Sequence, residues 1–150
     1  MERIAVFVDD VDHAQQLLGP LLAEGTPQAH WVVVACAPRL THRIGKWVAH
    51  SSREQWREHW ARTLRDRLEP LFRGRELAAC EWVLARGPLD RLSARLRGRL
   101  GAELRLLDLR RPKLGVVLPA IVAGQAPENH RWATPVAISS SLAAVLALTD

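Results

Sequence analysis

The chain has 150 residues, 48% of them hydrophobic, which suits one domain with its own core and excludes a disordered polymer. Its 21 Lys+Arg against 16 Asp+Glu give a formal charge of +5. Only Lys46 and Lys113 are lysines, and acids interrupt the arginines, as in Arg53-Glu54 and Arg65-Asp66-Arg67; a nucleic-acid binder would concentrate its cations in one stripe, so that partner is disfavoured.

Ile4 to Val8 is an apolar run stopped by Asp9-Asp10, the pattern of a strand buried on both faces. A helix is predicted next, with Asp12 as N-cap and Gly25 as its stop. Gly19-Pro20 inside it predicts a kink or a split. Trp31 to Ala37 is the second buried strand, ended by Pro38, and a basic loop follows from Arg39 to His50. Ser51 or Ser52 is then expected to cap a long helix, in which Trp56, Trp60, Leu64, Leu68 and Leu71 or Phe72 form one core face, with Gly74 ending it.

Leu77 to Leu84 is a third strand, left through Gly87-Pro88, with Pro88 in the first turn of a helix. Leu89, Leu92, Leu96 and Leu100 are its apolar stripe and Gly101 closes it. Leu104 to Leu109 is a short fourth strand. Leu114 to Val122 is apolar but carries Pro119, Gly124 to Arg131 is a loop or short polar helix, Pro135 to Ser139 is a fifth strand, and Leu142 to Leu148 is a terminal helix or a strand extension. Alternating strands and helices predict a single α/β domain over 1–150, with a parallel sheet, helices on both faces and right-handed crossovers. Ligands of such sheets bind beyond the carboxyl ends of the strands, where the strand order reverses.

Other chemistry is weakly signalled. Cys36 and Cys80 have no metal-ligand spacing and fall in apolar runs, as buried free thiols of a reducing compartment do. Six histidines are scattered without H-x-x-x-H or H-E-x-x-H spacing, and Ser139-Ser140-Ser141 lacks the G-x-S-x-G elbow of a hydrolase. The charge-free stretch Trp132 to Thr149 contains Pro135 and three serines, and is read as no membrane span. With no leader visible before Asp9, the expected location is cytoplasmic.

Three strings, in order, resemble the universal stress protein family of the adenine-nucleotide α-hydrolase-like superfamily. They are Ile4-Ala5-Val6-Phe7-Val8-Asp9-Asp10; Val83 through Gly87-Pro88 and Leu92 to Gly101-Ala102-Glu103-Leu104; and Thr134-Pro135-Val136-Ala137-Ile138. The resemblance implies a five-stranded open parallel sheet of order 3-2-1-4-5. It also implies homodimer pairing through the last strand, Pro135 to Ser139, and a binding or regulatory role in stress response without turnover. Its site would hold an adenine nucleotide such as ATP, with magnesium, near Asp9, Asp10, Ala35, Cys36, Arg110, Arg111, Gly124 and Gln125.

The chain departs from the ATP-binding branch after strand four. That branch carries G-x-x-G and later G-[S/T]; here stand Asp108-Leu109-Arg110-Arg111-Pro112-Lys113-Leu114-Gly115, with Gly124-Gln125 near the place of the last pair. Either Arg110, Arg111 and Lys113 contact phosphate, since arginine offers a planar fork to its oxygens, or their bulk closes the site; the second reading is favoured. Two further readings stand beside it: a magnesium-dependent enzyme built on Asp9, Asp10 and Asp108, and a nucleotide-free scaffold that binds an acidic partner through Arg39, His42, Arg43, Lys46, His50, Arg53 and Arg57.

Overall fold

The computed structural model describes residues 1–25, 27–39, 49–77, 79–124 and 137–138. Its elements are β1 (Arg3–Val8), α1 (Val11–Glu24), β2 (His30–Ala35), α2 (His50–Phe72), β3 (Ala79–Leu84), α3 (Leu89–Leu100), β4 (Arg105–Asp108) and β5 (Ala137–Ile138). The fold is α/β, with β1 to β4 all parallel in the order 3-2-1-4.

The expected fifth parallel strand is corrected. Ala137–Ile138 pairs antiparallel with β4, opposite Leu107 and Leu106. A parallel neighbour needs a long crossover, usually a helix, and the described residues between Leu109 and Gly124 contain none. Gln125 to Val136 and Ser139 to Asp150 lie outside the described residues, and with them most of the charge-free stretch. Among the described residues no helix is long and apolar enough to cross a membrane.

Every residue from Ile4 to Val8 and from Trp31 to Ala35 is buried, because helices cover both sheet faces. On one face Val6, Val8, Trp31 and Val33 pack with Ala14, Leu18 and Leu22 of α1 and Leu64, Leu68 and Phe72 of α2. On the other, Ala5, Phe7, Val32 and Val34 pack with Leu89, Leu92 and Leu96 of α3, and with Ile121. Right-handed crossovers require this division. The chain steps from β1 to β2 to β3 in one direction, then returns past them to β4, so its third helix falls on the opposite face.

Helix boundaries differ from expectation for local reasons. Asp10, not Asp12, caps α1: its backbone is extended and its Oδ1 accepts the His13 N–H at 2.9 Å. Asp12 instead pairs with Arg67 at 3.0 Å, joining α1 to α2. The first helix runs unbroken through Gly19-Pro20 to Glu24. A Cβ on Gly25 would stand 2.8 Å from the Leu21 carbonyl oxygen, so only glycine fits that close return. α2 begins at His50, without a side-chain cap from Ser51 or Ser52.

The largest correction concerns α2. At 23 residues it is about 35 Å long, whereas the six-residue strands span about 20 Å. Its carboxyl half packs on the sheet, where Phe72 meets the Trp31 and Trp82 rings edge-on at 5.9 and 5.8 Å. Its amino half overhangs the carboxyl edge of the sheet, which leaves Trp56 36% exposed and outside the core. Leu64→Ala is therefore expected to cost about 2–5 kcal/mol in urea denaturation. Trp56→Ala, although it removes more atoms, should cost under about 1 kcal/mol. The reverse order would contradict this packing.

Candidate functional site

The carboxyl ends of the strands are tied level with one another. Cys36 donates its N–H to the Val8 carbonyl at 2.8 Å, Ala85 to Ala35 at 2.9 Å and Leu109 to Phe7 at 2.9 Å. Each ladder thus continues one step past its strand. Strand order reverses between β1 and β4, and the residues emerging there are Asp9 and Asp108.

At this reversal Arg110 turns inward. Its side chain is 4% exposed and forks onto Asp108, Nε to Oδ1 at 2.9 Å and Nη2 to Oδ2 at 3.0 Å. The Arg110 backbone N–H also reaches Asp108 Oδ1, at 3.1 Å. Burial opposes the Arg110 charge, but the Asp108 hydrogen bonds and carboxylate charge outweigh it and raise its pKa. Next to it, Asp9 Oδ1 accepts the Arg111 backbone N–H at 2.7 Å. The Arg111 side chain, exposed, reaches Asp10 Oδ2 at 3.4 Å. Residues 108–111 are thus fastened to the ends of β1 and α1 by carboxylates.

Above this floor lies a cleft of about 830 Å³. Its walls are Ala37, Pro38 and Arg39 after β2, Arg57 on the overhang of α2, Ala85 and Gly87 to Asp90 at the start of α3, and Lys113 with Val116 to Ala120 after β4. Gly87 has φ +72°, so glycine suits the turn that aims α3 at the cleft. No side chain caps the amino end of α3, although Asp90 Oδ1 takes the Arg91 N–H at 2.8 Å. Described cationic side chains on the cleft are Arg39, Arg57, Arg110 and Lys113, against the carboxylates Asp9 and Asp90. Arg110 is neutralised by Asp108, and Arg57 is shared with Glu54 at 2.8 Å. Arg39 and Lys113 have no ion-pair partner among the described residues.

Of the residues expected at a nucleotide site, Asp9, Cys36 and Arg110 meet on this cleft. Asp10 and Arg111 support it from behind through the α1 cap and the Asp9 contact. Ala35 is buried at the end of β2 and lines instead a second groove between α2 and β3. Gly124, at φ +78°, ends the described segment and is not among the cleft's lining residues; Gln125 lies outside the described residues. Of the basic loop, His42, Arg43 and Lys46 also lie outside them, while Arg39 and Arg57 face the cleft. What the sequence did not reveal was the apolar wall Val116 to Ala120; its only signal was an apolar run carrying Pro119.

Asp9, Asp10 and Asp108 do not converge on one point for a cation. Asp108 is forked by Arg110 and Asp10 caps a helix. Among the described residues no three His, Cys, Asp or Glu side chains are grouped to hold a metal. Burial pushes the Cys36 thiol up to about 12 and the Cys80 thiol up to about 11, so neither is a ready nucleophile. No protein-family model, curated protein or solved structure matches the chain.

The floor generates two predictions. Asp108→Ala leaves a buried guanidinium unpaired and should cost about 3–5 kcal/mol in urea denaturation, whereas Asp108→Leu combined with Arg110→Met should cost far less. Equal losses would show that the pair is not buried as described. The second prediction concerns pH. Burial raises the Asp9 pKa above its ordinary 3.8, against the Arg111 hydrogen bond and the neighbouring cations. The folded state therefore holds this proton longer than the unfolded state. Stability then falls as pH rises from about 4 through the folded pKa, and levels off above it. Asp9→Asn keeps an acceptor for the Arg111 N–H and removes the charge. Its stability relative to wild type should grow across that window in pH-resolved denaturation; a gain on acidification instead would refute the assignment.

Proposed function

We propose that this chain is a binding module of the universal stress protein kind, whose switch-point cleft holds a phosphate-bearing small molecule, an adenine nucleotide in the first instance, without turning it over. The observation that carries the reading is the convergence of Arg39, Arg57 and Lys113 on one cleft, where the cation nearest the sheet is already neutralised. Both sequence readings of the arginine-rich turn then apply to different residues. Arg110 fills the space that a glycine-rich turn would leave open, and its paired guanidinium is a strut rather than a phosphate ligand. Lys113 and Arg39 keep their charge available, and arginine and lysine both serve phosphate.

The apolar wall Val116 to Ala120, with Leu89 and Ala85, offers a surface for the less polar part of such a ligand. Asp9 keeps Oδ2 for a hydroxyl, because only Oδ1 is engaged by Arg111. A binding role is favoured over catalysis because Asp10 and Asp108, two of the three carboxylates that an enzyme would use, are committed to structure. The expected cytoplasmic setting and a role in stress response belong to the same proposal.

Thermal unfolding with Mg-ATP, ADP, AMP and inorganic phosphate tests this reading. A ligand at a hundredfold excess over its dissociation constant stabilises by about 2.7 kcal/mol, which for a chain of this size raises Tm by roughly 5–10 °C. Arg39→Ala and Lys113→Ala should each weaken binding several-fold without lowering the ligand-free Tm. No shift with any of these compounds at millimolar concentration would overturn the proposal.

A further inference from the structure

β3 is the outer strand of the sheet and pairs only with β2 among the described residues. It follows β2 through six consecutive positions without a bulge, from Ala79 to Leu84, and all six residues are half-buried. Natural edge strands are guarded against foreign strands by lysine, proline, bulges or short length. β3, Ala-Cys-Glu-Trp-Val-Leu, has none of these. Its one charge, Glu81, is turned back onto its own chain by His30 at 2.8 Å and Arg99 at 2.8 Å. The other side of the sheet differs: β4 has four residues, two of which are paired by Ala137–Ile138.

The side chains also fit a copy of themselves. Cys80, Trp82 and Leu84 face the layer of α1 and α2, and Val83 the layer of α3. An antiparallel pairing about a twofold axis normal to the sheet keeps those faces, so the axis passes through one residue. Only axes through Glu81 or Trp82 keep five residues of the strand paired. An axis through Glu81 sets two carboxylates opposite each other, which is destabilising. An axis through Trp82 sets Trp82 against the partner's Trp82, Cys80 against the partner's Leu84 and Glu81 against the partner's Val83. That register brings Trp82 to Trp82 and Cys80 to Leu84, sets Glu81 beside Val83, and opposes no like charges within the strand.

We propose that β3 is a dimerisation strand, joining two copies of this chain into one continuous sheet about a twofold axis at Trp82. Specific interfaces bury about 1,200–2,000 Å², more than two strand edges alone supply. The groove of about 370 Å³ beside β3, lined by Ala61, Arg62, Arg65, Trp82 and Leu84, extends the contact onto α2. The paired positions Cys80 to Leu84 are not among the lining residues of the cleft.

Light scattering on the full chain should give twice 16.8 kDa. Leu84→Cys should form a diamide-induced disulfide with the partner's native Cys80, identified by mass spectrometry of the joined peptides. Val83→Cys, which faces Glu81 in this register, should not. Leu84→Lys should yield a monomer with unchanged circular dichroism. A monomer at millimolar concentration would overturn the proposal. So would a dimer that survives Leu84→Lys and whose Leu84→Cys variant forms no disulfide with Cys80; that result would move the pairing elsewhere, such as Pro135 to Ser139.

Discussion

The buried fork between Asp108 and Arg110 is the contact on which the carboxyl edge of this sheet depends. A parallel sheet brings the ends of its strands together and leaves them without further ladder partners, and the reversal of strand order between β1 and β4 opens a gap there. In this chain the gap holds a guanidinium whose charge would be untenable without the carboxylate two residues before it. The same turn presents the Arg111 N–H to Asp9, so β4 cannot shift along β1 without breaking that contact. The cleft has a rigid floor because two carboxylates are spent on holding it.

That floor determines which charges remain for a ligand. Arg110 is nearest the sheet and carries the best fork for phosphate, but Asp108 has taken it. The cations without an ion-pair partner among the described residues stand further out, Arg39 on the chain after β2 and Lys113 on the turn after β4, while Arg57 on the overhang of α2 is shared with Glu54. In the proposed binding role an anion would meet this cleft at its rim rather than against the strand ends. Burial raises the pKa of Asp9 although the Arg111 N–H and the charges of Arg110 and Lys113 oppose the rise.

Much of this was legible in the sequence, and the limits have physical causes. Short β-branched runs such as Val32-Val33-Val34 suit a strand buried on both faces, and the leucine stripe of α3 sets its helix phase, so four strands and three helices were readable. Asp9 and Asp108 were expected as neighbours because the family resemblance implies that strands one and four adjoin, which the β1–β4 pairing bears out. The role of Arg110 was not legible, because the choice between a phosphate ligand and an internal strut depends on which carboxylate the guanidinium meets in space. The α1 cap was misplaced by two residues because Asp10 and Asp12 are both suited to capping, and Arg67, more than fifty residues away, claims the second. Trp56 was assigned to the core because periodicity gives the phase of a helix but not how far the sheet beneath it extends. The same overhang carries Arg57 to the cleft. The fifth strand was expected to be parallel because its residues resemble a family pattern, and strand direction is set by the connection rather than by the strand's own residues.

The central claim is that ligand anions meet the outer cations while Arg110 remains locked to Asp108. Heteronuclear NMR with arginine side-chain detection, during titration with Mg-ATP, tests it most directly. The account predicts that the guanidinium signals of Arg39 and Arg57 and the backbone amides of Leu89 and Asp90 move in proportion to occupancy, while the Arg110 Nε–H stays slow to exchange and unshifted. Movement of the Arg110 signal ahead of the others, or saturating shifts confined to residues away from the cleft, would contradict it.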